Sequence, residues 1–203
     1  PRIWRWLLRH ATFLIALLVP RWLYVCRYRA NTWYGNSLRK IGAKVKEEFA
    51  GLSDILETLI SRGESIAVAE SLTGGGLAQA LTSLPGSSQV FRGSVTAYQN
   101  EIKSALLQIP EELISEFGAV SEEVAAAMAH GIKDLMGSTW SISTTGVAGP
   151  GPVDGVPAGT VWVAIDGPIS QTLQLELSGT REIVRNATIA GAIAAFARIL
   201  KTL

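Results

Sequence analysis

Residues 65–84, SIAVAESLTGGGLAQALTSL, decide the fold. The first seven, SIAVAES, are short, apolar and bounded by polar residues, which predicts a buried strand. They run directly into Leu72–Thr73 and three glycines, and then into an Ala- and Leu-rich helical pattern. Strand, glycine loop and helix start in direct succession are the unit from which α/β sheets are built. Three backbone N–H groups at such a helix start are available in principle to an anion. A triple glycine is as often only a tight turn, and this run has neither the P-loop nor the dinucleotide spacing.

The flanking sequence extends the pattern. Upstream, Phe49, Leu52, Ile55, Leu56 and Leu59 recur at intervals of three and four, predicting an amphipathic helix that stops near Gly63. Downstream, VFRGSVTAY (90–98) has strand composition and NEIKSALLQI (100–109) returns to a helical period. Pro110 opens a short helix that Gly118 ends, and Ser121 is an N-cap for a helix reaching about Met136, with Glu122 and Glu123 in its first turn. TWSISTTG (139–146) is a strand leading into VAGPGPVDGVPAG (147–159), a long loop of the kind that forms sites. GTVWVAIDG (159–167) and QTLQLELSG (171–179) form an antiparallel hairpin, and Thr180 caps a closing helix. The expectation is a three-layer α/β/α domain over residues 47–203 with a mixed sheet, antiparallel near its C-terminal end.

Residues 1–46 differ in kind. They hold ten of the eighteen Lys and Arg residues and no acid, four of the six tryptophans and the sole cysteine, Cys26. The apolar run ATFLIALLV (11–19) is too short to span a bilayer, and no small-x-small cleavage site follows it. The competing expectations are an interfacial basic helix and an upstream sequence translated from a misplaced start or a fragmentary reading frame, of which the second is preferred. The remaining residues carry eight bases against all seventeen acids, a poor partner for a phosphate backbone, so nucleic-acid binding is not expected. One cysteine and two histidines, His10 and His130, leave no disulfide framework and no multi-His metal centre within a chain. The chemistry is left to hydroxyls, lysine, arginine and carboxylates, with neither metal nor cofactor expected.

Three loops follow predicted strands, at 70–76, 98–103 and 144–159, and in α/β sheets such loops meet in one crevice. Lys103 lies five residues after Tyr98 at a strand-to-helix junction. A helix lysine is ordinarily solvated; lodged in a desolvated pocket beside a hydroxyl, it can lose its proton and serve as a base. His130 reads as a surface or packed histidine. Arg181 and Arg185, one turn apart, either bracket a phosphate or pair with surface acids.

The motifs ESLTGGG (70–76), PGSSQVFRGSVTAYQNEIKSALL (85–107), GAVSEEVAAAMA (118–129), TTGVAGPGP (144–152), PAGTVWVA (157–164) and GTREIVR (179–185) together resemble the C-terminal domain of the CinA proteins, the nicotinamide-nucleotide amidase family. The resemblance implies hydrolysis of nicotinamide mononucleotide to nicotinic acid mononucleotide and ammonia by a metal-free Ser/Lys pair. Carried onto this chain, it implies Ser71 as nucleophile with Ser88 as rival, Lys103 as base and Tyr98 as its helper. Ser88, Thr145 and Arg185 match pocket positions. The Gly74–Gly76 amides would stabilise an oxyanion, and Thr145 with the Gly146–Gly151 loop would line the ribose. Arg185, and less surely Arg181, would hold the phosphate. Leu72 replaces the usual cysteine, and the large N-terminal domain of long CinA proteins has no counterpart in residues 1–46. The resemblance further implies a homo-oligomer, and the domain body carries nothing that directs it out of the cytoplasm. Two other readings are a non-catalytic nucleotide-binding module and a membrane-surface adaptor acting through residues 1–46.

Overall fold

The computed structural model describes residues 51–203; the readings made of residues 1–46 and of Phe49 lie outside it. Five strands form one sheet in the order β2-β1-β3-β4-β5. They are β1 (Ile66–Glu70), β2 (Phe91–Thr96), β3 (Trp140–Gly146), β4 (Thr160–Asp166) and β5 (Gln171–Glu176). β1 runs parallel to both β2 and β3, whereas β4 is antiparallel to β3 and to β5. The sheet is therefore mixed, with its antiparallel part at the C-terminal end, as the alternation of the last two strands predicts.

Alternation along β1 sets the two faces. Ile66 and Val68 point into a large core with α1 (Leu52–Arg62), α2 (Gly76–Leu81) and α6 (Arg181–Leu200), closed by Trp140 and Phe196 edge to face at 5.3 Å. Ala67 and Ala69 point the other way, toward a core built with α3 (Asn100–Leu107), α4 (Glu111–Phe117) and α5 (Glu122–Met136). α6 is long and apolar enough to cross a membrane by length and composition, and its buried face is spent on the sheet and on α1.

The second face explains why so polar a strand as WSISTTG is buried. Ser141 and Ser143 donate to the carbonyls of Ala129 and Ala125, each at 2.6 Å. Two residues of strand advance about 6.6 Å and four residues of helix about 6 Å, so a pair spaced i, i+2 on β3 matches carbonyls spaced i, i−4 on α5. Ala67, Ala69, Ala125, Ala129 and Ala164 are all buried here and allow the close approach. Thr145 continues the row by donating to Ala119 O at 2.6 Å, which draws the segment before α5 against the end of β3. Ser121 and Thr180 cap α5 and α6, accepting from Val124 N and Ile183 N at 3.3 Å each.

Candidate active site

Because β1, β2 and β3 are parallel, the loops leaving their C-terminal ends meet at one edge of the sheet. A cavity of about 250 Å³ lies there, lined by Ser71 and Leu72 after β1, Tyr98, Asn100 and Lys103 after β2, the Ala119–Val120 segment, and Thr145–Pro150 after β3. Val153, Asp154 and Arg181 complete its wall. Gly146 belongs to the wall for steric reasons, since a Cβ there would stand 2.7 Å from Thr160 O on the neighbouring strand.

Lys103 is the unusual member. It is 2% exposed, and its Nζ donates to Tyr98 O and to Asn100 Oδ1, both at 3.4 Å. Both acceptors are neutral and both contacts are long, and among the described residues no carboxylate lies within ion-pair range of the ammonium. Desolvation by burial accordingly lowers its pKa from the ordinary lysine value. Burial is the cause of this shift; no neighbouring charge adds to it. Ser71 shares the cavity, with its backbone N–H on Thr144 O at 2.9 Å. No hydrogen bond joins Lys103 Nζ to Ser71 Oγ, so proton transfer requires side-chain rotation or a bridging group.

Several expected roles change. The glycine loop offers no free donors: Gly74 N–H bonds Ser71 O at 3.1 Å, Gly76 N–H bonds Thr73 O at 3.2 Å, and Gly75 N–H bonds Glu70 Oε2 at 2.9 Å. Glu70, 0% exposed, also accepts from Leu77 N at 3.0 Å and Ala78 N at 2.8 Å. The anion at this helix start is the protein's own carboxylate. Gly75 sits at φ +93°, the left-handed backbone that brings its N–H round to Glu70. The next amide after Ser71, that of Leu72, donates to no group among the described residues, and Leu72 lines the cavity.

Ser88 is displaced from the site altogether. It is exposed, in the 3₁₀ turn Ser87–Gln89 before β2, where Val90 O accepts from Ile66 N at the opposite end of β1. With five residues of β1 between the two ends, Ser88 and Ser71 are separated by roughly 16 Å along the strand direction. Thr145 lines the cavity, but its hydroxyl is committed to Ala119 O. The Tyr98 hydroxyl makes no hydrogen bond to the lysine; it accepts from Arg181 Nη2 at 2.7 Å. Arg185 does not line the cavity: its Nη2 bonds Thr73 O at 2.7 Å behind Gly74. His130 is exposed at the other end of the sheet, between Asp166 (3.3 Å) and Asp134 (3.4 Å).

The model of the CinA C-terminal domain matches residues 50–200. The chain belongs to the CinA family. A CinA-like protein of Prochlorococcus marinus subsp. pastoris is 46% identical over 142 residues, which is 64% of this chain and 33% of that protein. One from Desulfotalea psychrophila is 44% identical over 166 residues, 77% of this chain and 40% of the relative. This chain thus spans well under half the length of these curated CinA-like proteins. Among solved structures, the competence damage-inducible protein A of Klebsiella pneumoniae superposes with a TM-score of 0.72 at 34% identity, covering 74% of this chain and 95% of that one. A competence/damage inducible protein of Agrobacterium tumefaciens does so at 0.66 and 30% identity, covering 75% and 96%.

Within that CinA fold, sequence reading missed three features of the site. Asn100 is one; its i, i+3 spacing to Lys103 on a single helix was the available signal. Glu70 is the second, signalled by an acid at the end of an otherwise apolar strand. Asp154, at the tip of the turn bridged by Val153 and Val156, had no signal beyond its place in a long loop.

Proposed function

We propose that the chain is an amidohydrolase that cleaves the carboxamide of nicotinamide mononucleotide, with Ser71 as nucleophile and Lys103 as general base and acid. The observation that carries this reading is a buried lysine with no acidic partner among the described residues, its pKa lowered by desolvation, sharing one cavity with a serine at a strand end. A lysine in that state has little structural value and matches what serine activation requires.

In the proposed reaction neutral Lys103 Nζ takes the Ser71 hydroxyl proton as Oγ bonds to the carboxamide carbon. The resulting oxyanion meets the Leu72 N–H, in place of the glycine-loop amides, which are already bonded. Collapse breaks the C–N bond, and the Lys103 ammonium returns its proton to the departing ammonia. Water, deprotonated by the same amine, then attacks the acyl carbon and frees Ser71 and the carboxylic acid. No side chain beyond these two is asked to move a proton.

The test is ammonia release from nicotinamide mononucleotide by the full chain, with Lys103→Met and Ser71→Ala as controls. Activity in wild type that both variants lose supports the reading. Full activity of Lys103→Met ends it. Saturable binding of the mononucleotide without ammonia release would instead favour the non-catalytic nucleotide module.

A further inference from the structure

An amine that acts as a base must present its lone pair while the rest of the nitrogen is held still. A protonated lysine carries three N–H donors; the free base carries two, with the lone pair in the remaining tetrahedral position. Among the described residues Lys103 Nζ has two acceptors, Tyr98 O and Asn100 Oδ1, each at 3.4 Å. That count fits the uncharged amine and leaves the ammonium one bond short. The other ionisable groups stay off it. Asp154, Arg181 and the Tyr98 hydroxyl on the cavity wall, Glu101 on the same helix and the acids of α4 and α5 packed against that helix make neither a hydrogen bond nor an ion pair to Nζ. Of the two acceptors, the Tyr98 carbonyl belongs to the backbone, so only Asn100 is a choice of side chain. It is the first residue of α3, where a short polar side chain ordinarily turns to the unpaired N–H groups of the helix start. Asn100 gives its oxygen to the lysine three residues on instead, and only that orientation of the amide serves, since its NH₂ end cannot accept.

We propose that Asn100 is a positioning residue: its side-chain carbonyl and the Tyr98 carbonyl together occupy the two N–H groups of the uncharged Lys103 amine, so that the lone pair is the one open position of the nitrogen in the cavity shared with Ser71. The role rests on Lys103 being the base of the amidase reading. The residue type follows from the chemistry. An aspartate has the same shape but would pair with the ammonium and hold the proton on it. A leucine of similar size would leave one N–H without a partner and let the amine turn. A neutral acceptor at that distance fixes the amine without charging it. When the Ser71 proton arrives it becomes the third N–H, unmatched by any acceptor of the described residues, and it is the one handed to the departing ammonia. Asn100 itself gains and loses no proton.

Two readouts on the full chain separate this contact from the amidase reading. Asn100 is exposed at the helix start, so its variants are expected to fold. The first readout needs no turnover: lysines are labelled with carbon-13 at Cε, the Lys103 resonance is assigned by its absence in Lys103→Met, and its titration is followed by NMR. Asn100→Asp should move the midpoint up and Asn100→Leu should move it down, since an acceptor supports the ammonium more than the amine. The second readout is the pH profile of ammonia release from nicotinamide mononucleotide. Asn100→Leu should lower kcat about 10- to 100-fold at every pH, the scale of a misaligned reacting group, with KM nearly unchanged. Asn100→Asp should lose as much at neutral pH and recover most of its turnover at higher pH, because its lysine still has both acceptors. Loss of kcat by the same factor in both variants, with the pH profile in place, would mark a merely structural residue and overturn the proposal. A Lys103 midpoint that moves in neither variant overturns it as well, whatever the turnover. Midpoints that shift as expected in a protein releasing no ammonia would sink the amidase reading and leave the Asn100 contact supported.

Discussion

Two buried ionisable side chains stand at the ends of neighbouring strands and are treated in opposite ways. Glu70, at the end of β1, receives three backbone N–H groups at 2.8–3.0 Å and closes a helix start. Lys103, just after β2, has two contacts at 3.4 Å to neutral oxygens. Burial alone therefore does not mark a functional charge; the degree to which the charged form is satisfied does. Glu70 is built in as an anion, whereas Lys103 is kept where its charge is poorly supported. The same contrast separates the two glycine loops, one closed upon itself and the other forming an open wall.

The sharpest way to break the contrast is to remove each group in turn. Lys103→Met should lower kcat by about 1,000-fold or more, in the range of losing a nucleophile's activating base, while thermal stability holds or rises because a poorly solvated cation has gone. A variant that unfolds would show Lys103 to be structural. Ser71→Ala should match it in activity, and Ser88→Ala should keep wild-type turnover, given its position at the far end of the sheet.

Glu70→Gln inverts the expectation. The amide NH₂ would face N–H groups, leaving buried donors unmet, at a cost of roughly 2–4 kcal/mol. For a domain of this size that corresponds to a melting temperature lower by about 5–15 °C, readable by calorimetry. Turnover should fall too, because the turn carrying Ser71 loses its clamp. Unchanged stability would mean that the three contacts are not holding the helix start.

The pH dependence sharpens the lysine side of the comparison. A folded pKa below the unfolded one means that the unfolded chain binds more protons in the interval between them, so stability rises with pH across that interval. The penalty is full below the lowered folded pKa and gone above the ordinary lysine value of 10.5. The stability difference between wild type and Lys103→Met should therefore shrink as pH rises toward 10.5. The rising limb of kcat/KM should likewise fall below the ordinary lysine range and vanish in the variant.

Much of this layout is legible before any coordinates, and the misses have physical causes. The run SIAVAES followed by three glycines reveals strand, loop and helix because hydrophobic period and backbone freedom are local properties. The position of Ser88 follows from a strand lying between it and Lys103 once β1 and β2 are parallel, a relation that family motif matching does not consult. Arg181 and Arg185 are less accessible to sequence reasoning. One helical turn of about 5.4 Å moves the guanidinium from the loop after β3 to the loop after β1, and sequence spacing does not say which loop waits there. The filling of the glycine loop was hidden for a related reason: the anion came from five residues upstream in the same chain.

The smallest effect concerns a second carboxylate, Asp166 at the far end of β4, where side-chain donors and the Lys133 charge replace backbone amides. Burial raises the pKa of Asp166, but hydrogen bonds from Lys133, Ser170 and His130 and the charge of Lys133 outweigh it and leave the value lowered from 3.8. Lys133 Nζ approaches Asp166 Oδ2 to 2.5 Å and Ser170 Oγ donates to Oδ1 at 2.6 Å. A depressed folded pKa gives stability that is present above 3.8 and lost as pH falls through the lowered value. Asp166→Asn should thus melt below wild type at pH 6 and converge with it as pH falls below 3.8, by an amount kept modest because the cluster is partly solvated. Added salt should shrink the gap at Asp166, since mobile ions reach its cations, and leave the Glu70→Gln deficit unchanged, since they do not reach a sealed helix start. Equal salt sensitivity at both positions would erase the distinction between an anion held by amides and one held by cations.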